Sequence, residues 1–248
     1  MLDRLLKDRV DIERAVDRAF NEEFHGHVPT DGMAVINRQV IIHYLRQLVE
    51  VDRQLAPFTI LGLERDALMP LYIKTLGQTV TIGGRIDRLD MIDTPQGRQV
   101  RVIDYKTGAH RLRPLKTVDD IFDDAQLRNH NDYYLQTFLY ARIVSSRFNV
   151  PTGKDNLASP VALHPSPTHT PVAPALLFIQ HAGTDDYNPI LKFGADYIND
   201  VVTPDGDRFV ELLMAKVNEM FDSSLPFTPT ADSDRCRTCP YQQLCGLL

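Results

Sequence analysis

Asp87, Asp104 and Lys106 fall within one short segment, residues 83–108, which reads GGRIDRLDMIDTPQGRQVRVIDYKTG. At its centre, Thr94-Pro95-Gln96-Gly97 has proline at the second place and glycine at the fourth, a type I turn signature. A symmetric hairpin about this turn pairs residues whose numbers sum to 191, as 94 and 97 do, and sets Asp87 opposite Asp104. A three-residue loop with a glycine bulge would shift the sum to 192 and put the two carboxylates on opposite faces. The apolar pattern arbitrates. Leu89 and Met91 share a face with Asp87, and Val100 and Val102 share one with Asp104, so apolar meets apolar only when the sum is odd. The other face then pairs Asp90 with Arg101, expected as an exposed ion pair.

Two carboxylates directly opposite on one sheet face have Cβ atoms about 5 Å apart. They repel unless a proton or a cation joins them, and oxygen ligands of this kind suit Mg²⁺ or Mn²⁺. Lys106 follows Asp104 by two residues, so its ammonium projects from the same face. This set suits phosphodiester hydrolysis. The metal binds a phosphate oxygen and lowers the pKa of a water, and the lysine steadies that water or the growing negative charge. Alone, the trio would equally suit a salt-bridged exposed sheet.

The next helix, Asn131 to Phe148, separates these readings. Gln136 and Tyr140 are four apart in it and share one helical face. Gly84-Arg85-Ile86-Asp87-Arg88-Leu89-Asp90, then Asp104-Tyr105-Lys106-Thr107-Gly108, then Gln136 to Tyr140 together resemble the PD-(D/E)XK nuclease superfamily in its RecB-like branch. Order and spacing both agree, over roughly residues 58–145 and the cysteine tail.

The resemblance implies a role for each residue. Asp87 and Asp104 are metal ligands, helped by the Tyr105 backbone carbonyl, and Lys106 is the catalytic lysine. Glu64 is the upstream glutamate, though a plain exposed strand glutamate fits it as well. Gln136 and Tyr140 support the lysine and the DNA backbone. His110, Arg111, Arg113 and Lys116 follow the DYKTG element and are placed to contact phosphates. The acidic run Asp119 to Asp124 would oppose DNA unless it faced away.

Cys236, Cys239 and Cys245 all lie in the last 13 residues, spaced C-x₂-C-x₅-C. A clustered, odd set reads as metal ligation before disulfide. Among RecB-like proteins the AddB-type subunits end this way, holding a [4Fe–4S] cluster with a fourth cysteine far upstream. This sequence has no other cysteine, and neither His25, His27 nor His43 matches the family's histidine ligand. The expectation is an excerpt lacking the first helix and first cysteine of its parent, with an incomplete cluster and weak or absent cutting.

The expected function is a Mg²⁺- or Mn²⁺-dependent DNA exonuclease domain of an AddAB/RecBCD-like helicase–nuclease that resects double-strand breaks. DNA and an AddA-like helicase subunit are its partners. The alternatives are a free-standing RecB-like exonuclease of the CRISPR-associated type and an inactive DNA-binding or scaffold module. No Walker-type G-x-x-x-x-G-K-[ST] occurs, so the sequence carries no motor of its own.

The elements that must position these residues follow from periodicity. Residues 1–24 read as an amphipathic helix, broken once, and Met33 to Leu55 as a second, with Ile36, Val40, Ile41, Tyr44, Leu45 and Leu48 inward. Strands are expected from Phe58 to Glu64, from Leu71, from Thr79 to Ile92 and from Gln99 to Tyr105. Residues 151–174 hold six prolines and read as a surface insertion; Ala175 to His181 is a strand, and Asp205 to Phe221 a helix with Phe209, Leu212, Leu213, Val217 and Met220 inward. The fold class is α/β: a restriction-endonuclease-like core over residues 1–223, a central mixed β-sheet flanked by helices, with a Pro-rich insertion and a cysteine-rich tail at 224–248.

With 248 residues, 43% hydrophobic and 24% charged, the chain has the composition of an ordinary globular domain and excludes collagen-like, disordered and coiled-coil classes. Its net charge of −6 argues against coating nucleic acid by bulk attraction. No run of 18 apolar residues spans a membrane, and the charged N-terminus has no signal-peptide core, so a cytoplasmic location is expected.

Overall fold

Three helices lead the chain: α1 (Leu2–Lys7), α2 (Arg9–Glu23) and α3 (Gly32–Leu55). The computed structural model describes residues 2–7, 9–108, 112–148, 169–181, 187–226, 228, 230, 233–237 and 239–246. Asp31 starts α3 as its N-cap, accepting hydrogen bonds from the N–H groups of Met33 (2.9 Å) and Ala34 (3.0 Å). The break expected in the first amphipathic segment falls between α1 and α2.

Four strands form the central sheet in the order β1 (Thr59–Ile73), β2 (Gln78–Thr94), β3 (Gly97–Lys106), β4 (Val172–Phe178). β1, β2 and β3 are antiparallel neighbours, and β3 and β4 run parallel. The sheet is therefore mixed, as expected. β1 is one long strand rather than two short ones: it lies at the sheet edge, where Pro70 is tolerated. β4 begins at Val172, three residues before the expected Ala175, so the excursion assigned to 151–174 gives way to strand at its end. Residues 151–168 lie outside the described residues.

Helix α4 (Asn131–Phe148) covers one face of the sheet, and α5 (Pro204–Met220) packs beside it. Val100, Val102, Leu176 and Phe178 of the sheet meet Phe138, Ala141 and Phe209 there. The opposite face packs Ile103, Ala175 and Leu177 against Tyr44, Leu48, Val51 and Leu55 of α3.

That second interface corrects the sequence reading of α3. Ile36, Val40 and Ile41 are 57%, 41% and 39% exposed, because only the C-terminal half of the helix overlies the sheet. Ile42 turns instead towards Ile12 and Val16 of α2. On α5, Phe209 and Leu213 are buried as expected, but Met220, in the last turn, is exposed.

Past the register shift between Ile60 and Gly62, the in–out alternation of β1 and β2 breaks again. Ile86 and Leu89, three apart, both pack into the α4-side core, while Arg88 between them reaches Asp52 of α3 on the far side. On β1, Gly62 pairs with Leu89 and Arg65 with Ile86, and directly opposed residues share a face. The parity change falls at Glu64, whose φ is 50°, and at Asp87 across from it.

Candidate active site

The hairpin has the register that apolar matching requires. Thr94 pairs with Gly97, Asp90 with Arg101 and Arg88 with Ile103, each pair summing to 191. The next step along the strands brings Asp87 beside Asp104. Asp87 Oδ2 accepts the backbone N–H of Tyr105 at 2.7 Å, which fixes this half-buried carboxylate against β3.

Asp104 is 4% exposed. Burial raises its pKa, the nearby Asp87 charge pushes the same way, and Lys106 opposes both. Lys106 Nζ lies 2.6 Å from Asp104 Oδ2. That contact is a close ion pair to a buried carboxylate oxygen.

Two groups from α4 hold the lysine. Gln136 Oε1 accepts a hydrogen bond from Nζ at 3.3 Å, and the Tyr133 ring centroid is 4.3 Å from Nζ. The Tyr133 ring also stacks with His130, centroids 4.7 Å apart at 13°. Sequence reasoning missed Tyr133, since an aromatic helix reads as core. Its place three residues before Gln136 was the available signal, because the two lie one turn apart on the same face.

The remaining sequence-derived residues are placed less uniformly. Glu64 is exposed and stands next to Asp87 in the ladder, between the pairs Leu63–Arg88 and Arg65–Ile86. Tyr140 is buried, with its hydroxyl against β2: a Cβ on Gly84 would lie 2.1 Å from Tyr140 Oη, so glycine permits that approach. Arg113 and Lys116 are exposed beyond β3, and Arg111 lies outside the described residues. The acidic run is largely taken up internally. Asp119 binds Arg208, Asp120 accepts the N–H groups of Lys116 and Thr117, and Asp123 caps the turn at Ala125.

The back of the hairpin corrects a second expectation. Asp90 and Arg101 do pair, at 2.8 Å, but they are 0% and 3% exposed rather than on the surface. Arg88, 1% exposed, joins them and reaches Asp52 at 2.6 Å; α3 roofs the group.

In the tail, Cys236 and Cys239 are half-buried and Cys245 is exposed. Cys239 Sγ accepts the Tyr241 N–H at 3.4 Å. Among the described residues no three or more His, Cys, Asp or Glu side chains converge on one point. Three thiols without a fourth ligand do not fit a closed cluster site. The hairpin pair differs. Asp87, Asp104 and an adjacent backbone carbonyl are hard oxygen donors, a set whose chemistry fits Mg²⁺ or Mn²⁺ with solvent completing the shell.

A mixed sheet flanked by helices, with two carboxylates and a lysine on its central strands, defines a restriction-endonuclease-like, metal-dependent nuclease core. The chain belongs to the PD-(D/E)XK nuclease superfamily, whose profile matches residues 2–246. No curated protein matches it. Among the described residues no helix is long and apolar enough to cross a membrane.

Proposed function

We propose that this chain is a Mg²⁺- or Mn²⁺-dependent deoxyribonuclease that hydrolyses DNA phosphodiester bonds, with Asp87, Asp104 and the Tyr105 carbonyl as metal ligands. The carrying observation is Asp104 and Asp87 side by side at the hairpin, with Lys106 pinned to Asp104 and Gln136. A divalent cation, when bound, supplies positive charge at the phosphate and acidifies water. Lys106 is held and aimed to stabilise negative charge that grows on the phosphate oxygens. Gln136 and Tyr133 remove its rotamer freedom before substrate arrives. Arg113 and Lys116 contact the DNA backbone, with Arg111 beside them in sequence.

The wider role is that of an exonuclease domain in an AddAB-like helicase–nuclease for double-strand-break repair, working in the cytoplasm with an AddA-like helicase subunit. The elements GRIDRLD, DYKTG and Gln136-x-x-x-Tyr140 support that reading. On it, Cys236, Cys239 and Cys245 are three ligands of an iron–sulfur site that stays incomplete without a fourth.

The test is cleavage of linear DNA with Mn²⁺, wild type beside Lys106→Ala, together with Mn²⁺ titration of wild type and Asp104→Ala. Cleavage lost in Lys106→Ala, with metal binding lost in Asp104→Ala, is the expected result. Metal binding unchanged by Asp104→Ala would overturn the assignment.

A further inference from the structure

Arg65 stands one ladder step beyond Glu64 and Asp87, and among the described residues it pairs with no carboxylate. Asp66 is held by Arg85 at 3.1 Å, Asp104 by Lys106, and Asp87 by the Tyr105 N–H. Arg65 is exposed, and among the described residues its guanidinium makes no hydrogen bond, ion pair or ring contact. Its stem is nevertheless placed. It lies across Gly62, where a Cβ would come 2.8 Å from Arg65 Cγ and 3.0 Å from Nε. Gly62 does not have a left-handed φ, so the space for Arg65 is the visible reason for a glycine there.

The face follows from the register. Gly62 opposes Leu89, which lies on the α4 side with Asp87 and Asp104. Asp87 is two residues along β2 from Leu89, and such diagonal neighbours are about 7–8 Å apart. A planar fork of N–H donors is thus left over beside the two metal-binding carboxylates. A fork of this shape matches phosphate oxygens two at a time.

We propose that Arg65 binds the DNA backbone at the phosphate neighbouring the scissile one, as a substrate-binding residue on the edge strand. The proposal rests on the nuclease reading. Arg65 supplies the site with a cation that, among the described residues, no carboxylate engages.

The experiment uses the full chain and a linear DNA duplex. Affinity is measured in EDTA across a salt series, and cleavage with Mn²⁺, for wild type, Arg65→Ala, Arg65→Lys and Gly62→Ala. Arg65→Ala should lower the slope of log affinity against log salt by about one and raise KM about tenfold. Arg65→Lys should keep the slope while losing part of the affinity. Gly62→Ala, which keeps the charge but displaces the stem, should also raise KM. A slope and a KM at wild-type values in Arg65→Ala would overturn the proposal. If wild type binds DNA in EDTA but never cuts it, the nuclease reading fails and the salt slopes still decide Arg65. If wild type binds no DNA, both fail.

Discussion

On the face of β2–β3 turned to α3, Asp90 has both oxygens engaged by Arg101, at 2.8 and 2.9 Å, and Oδ2 also takes two N–H groups of Arg88. Asp52 takes a further Arg88 N–H, and the Phe58 ring lies 4.3 Å from the guanidinium. Two carboxylates meet two guanidinium groups, and the charges cancel. On the face turned to α4, the Lys106 ammonium meets Asp104 alone, and Asp87 has the Tyr105 N–H but, among the described residues, no cation against it. Burying charge is costly, and only full pairing offsets it. The closed face is therefore built to stand alone, whereas on the proposed reading the open face takes a cation. Charge balance distinguishes the two faces, although Asp90 and Asp104 are both buried acids on neighbouring strands.

The contrast can be broken by substitution. Asp104→Asn should leave the fold intact by circular dichroism and lower the cleavage rate about 10³-fold, equivalent to about 4 kcal/mol. Residual cleavage within tenfold of wild type would remove the open face from catalysis. Asp90→Leu leaves Arg101 buried without its carboxylate and Arg88 with Asp52 alone, and should cost about 3 kcal/mol or more in urea unfolding. The molecules that remain folded should still cut DNA, and a folded but dead Asp90→Leu protein would erase the distinction between the faces.

Gln136→Ala sharpens the comparison, since it loosens Lys106 without changing any charge. The cleavage rate should drop about tenfold with little change in metal affinity.

The smallest effect is on stability against pH. Asp104 has its pKa raised by burial, so the folded state holds the proton more tightly than the unfolded one. Its contribution is then fully favourable below the ordinary carboxylate pKa of about 3.9 and is lost as pH rises through the raised value. In EDTA, Asp104→Asn should therefore melt above wild type at neutral pH, and the gap should close towards pH 3. Added Mn²⁺ should raise only the wild-type melting temperature. An Asp104→Asn protein that melts below wild type at neutral pH would show that Lys106 alone balances the site.

How far the sequence could be read follows from the range of each interaction. The hairpin register was legible because face matching over Leu89, Met91, Val100 and Val102 admits only one parity. The bounds of α4 were legible from its unbroken helical stretch after Asn131. The burial of Asp90 and Arg101 was not, since it depends on Asp52 and the roof of α3, remote in sequence. Nor could the apolar stripe of α3 say where the sheet stops beneath it. The Lys106–Tyr133 contact was hidden because tyrosine in a helix reads first as core. Glu64 gave no local sign of its positive φ, as glutamate is not a residue that announces one.

The parity break at Glu64 and Asp87 bears on how such a chain can vary in length. Beyond it, the ribbon from Arg65 to Arg85 closes at the turn after Ile73, and its pairing is counted outward from the break. Residues added or removed near Lys74 to Gly77, in equal number on both strands, would leave Asp87 opposite Asp104 and the ribbon's inner face inward. A single unmatched insertion between Glu64 and Ile73 would instead turn Ala67 and Leu71 out of the core. Length differences among relatives should therefore gather at the ribbon tip, with the end at Asp87 and Asp104 as the fixed point from which the arm grows.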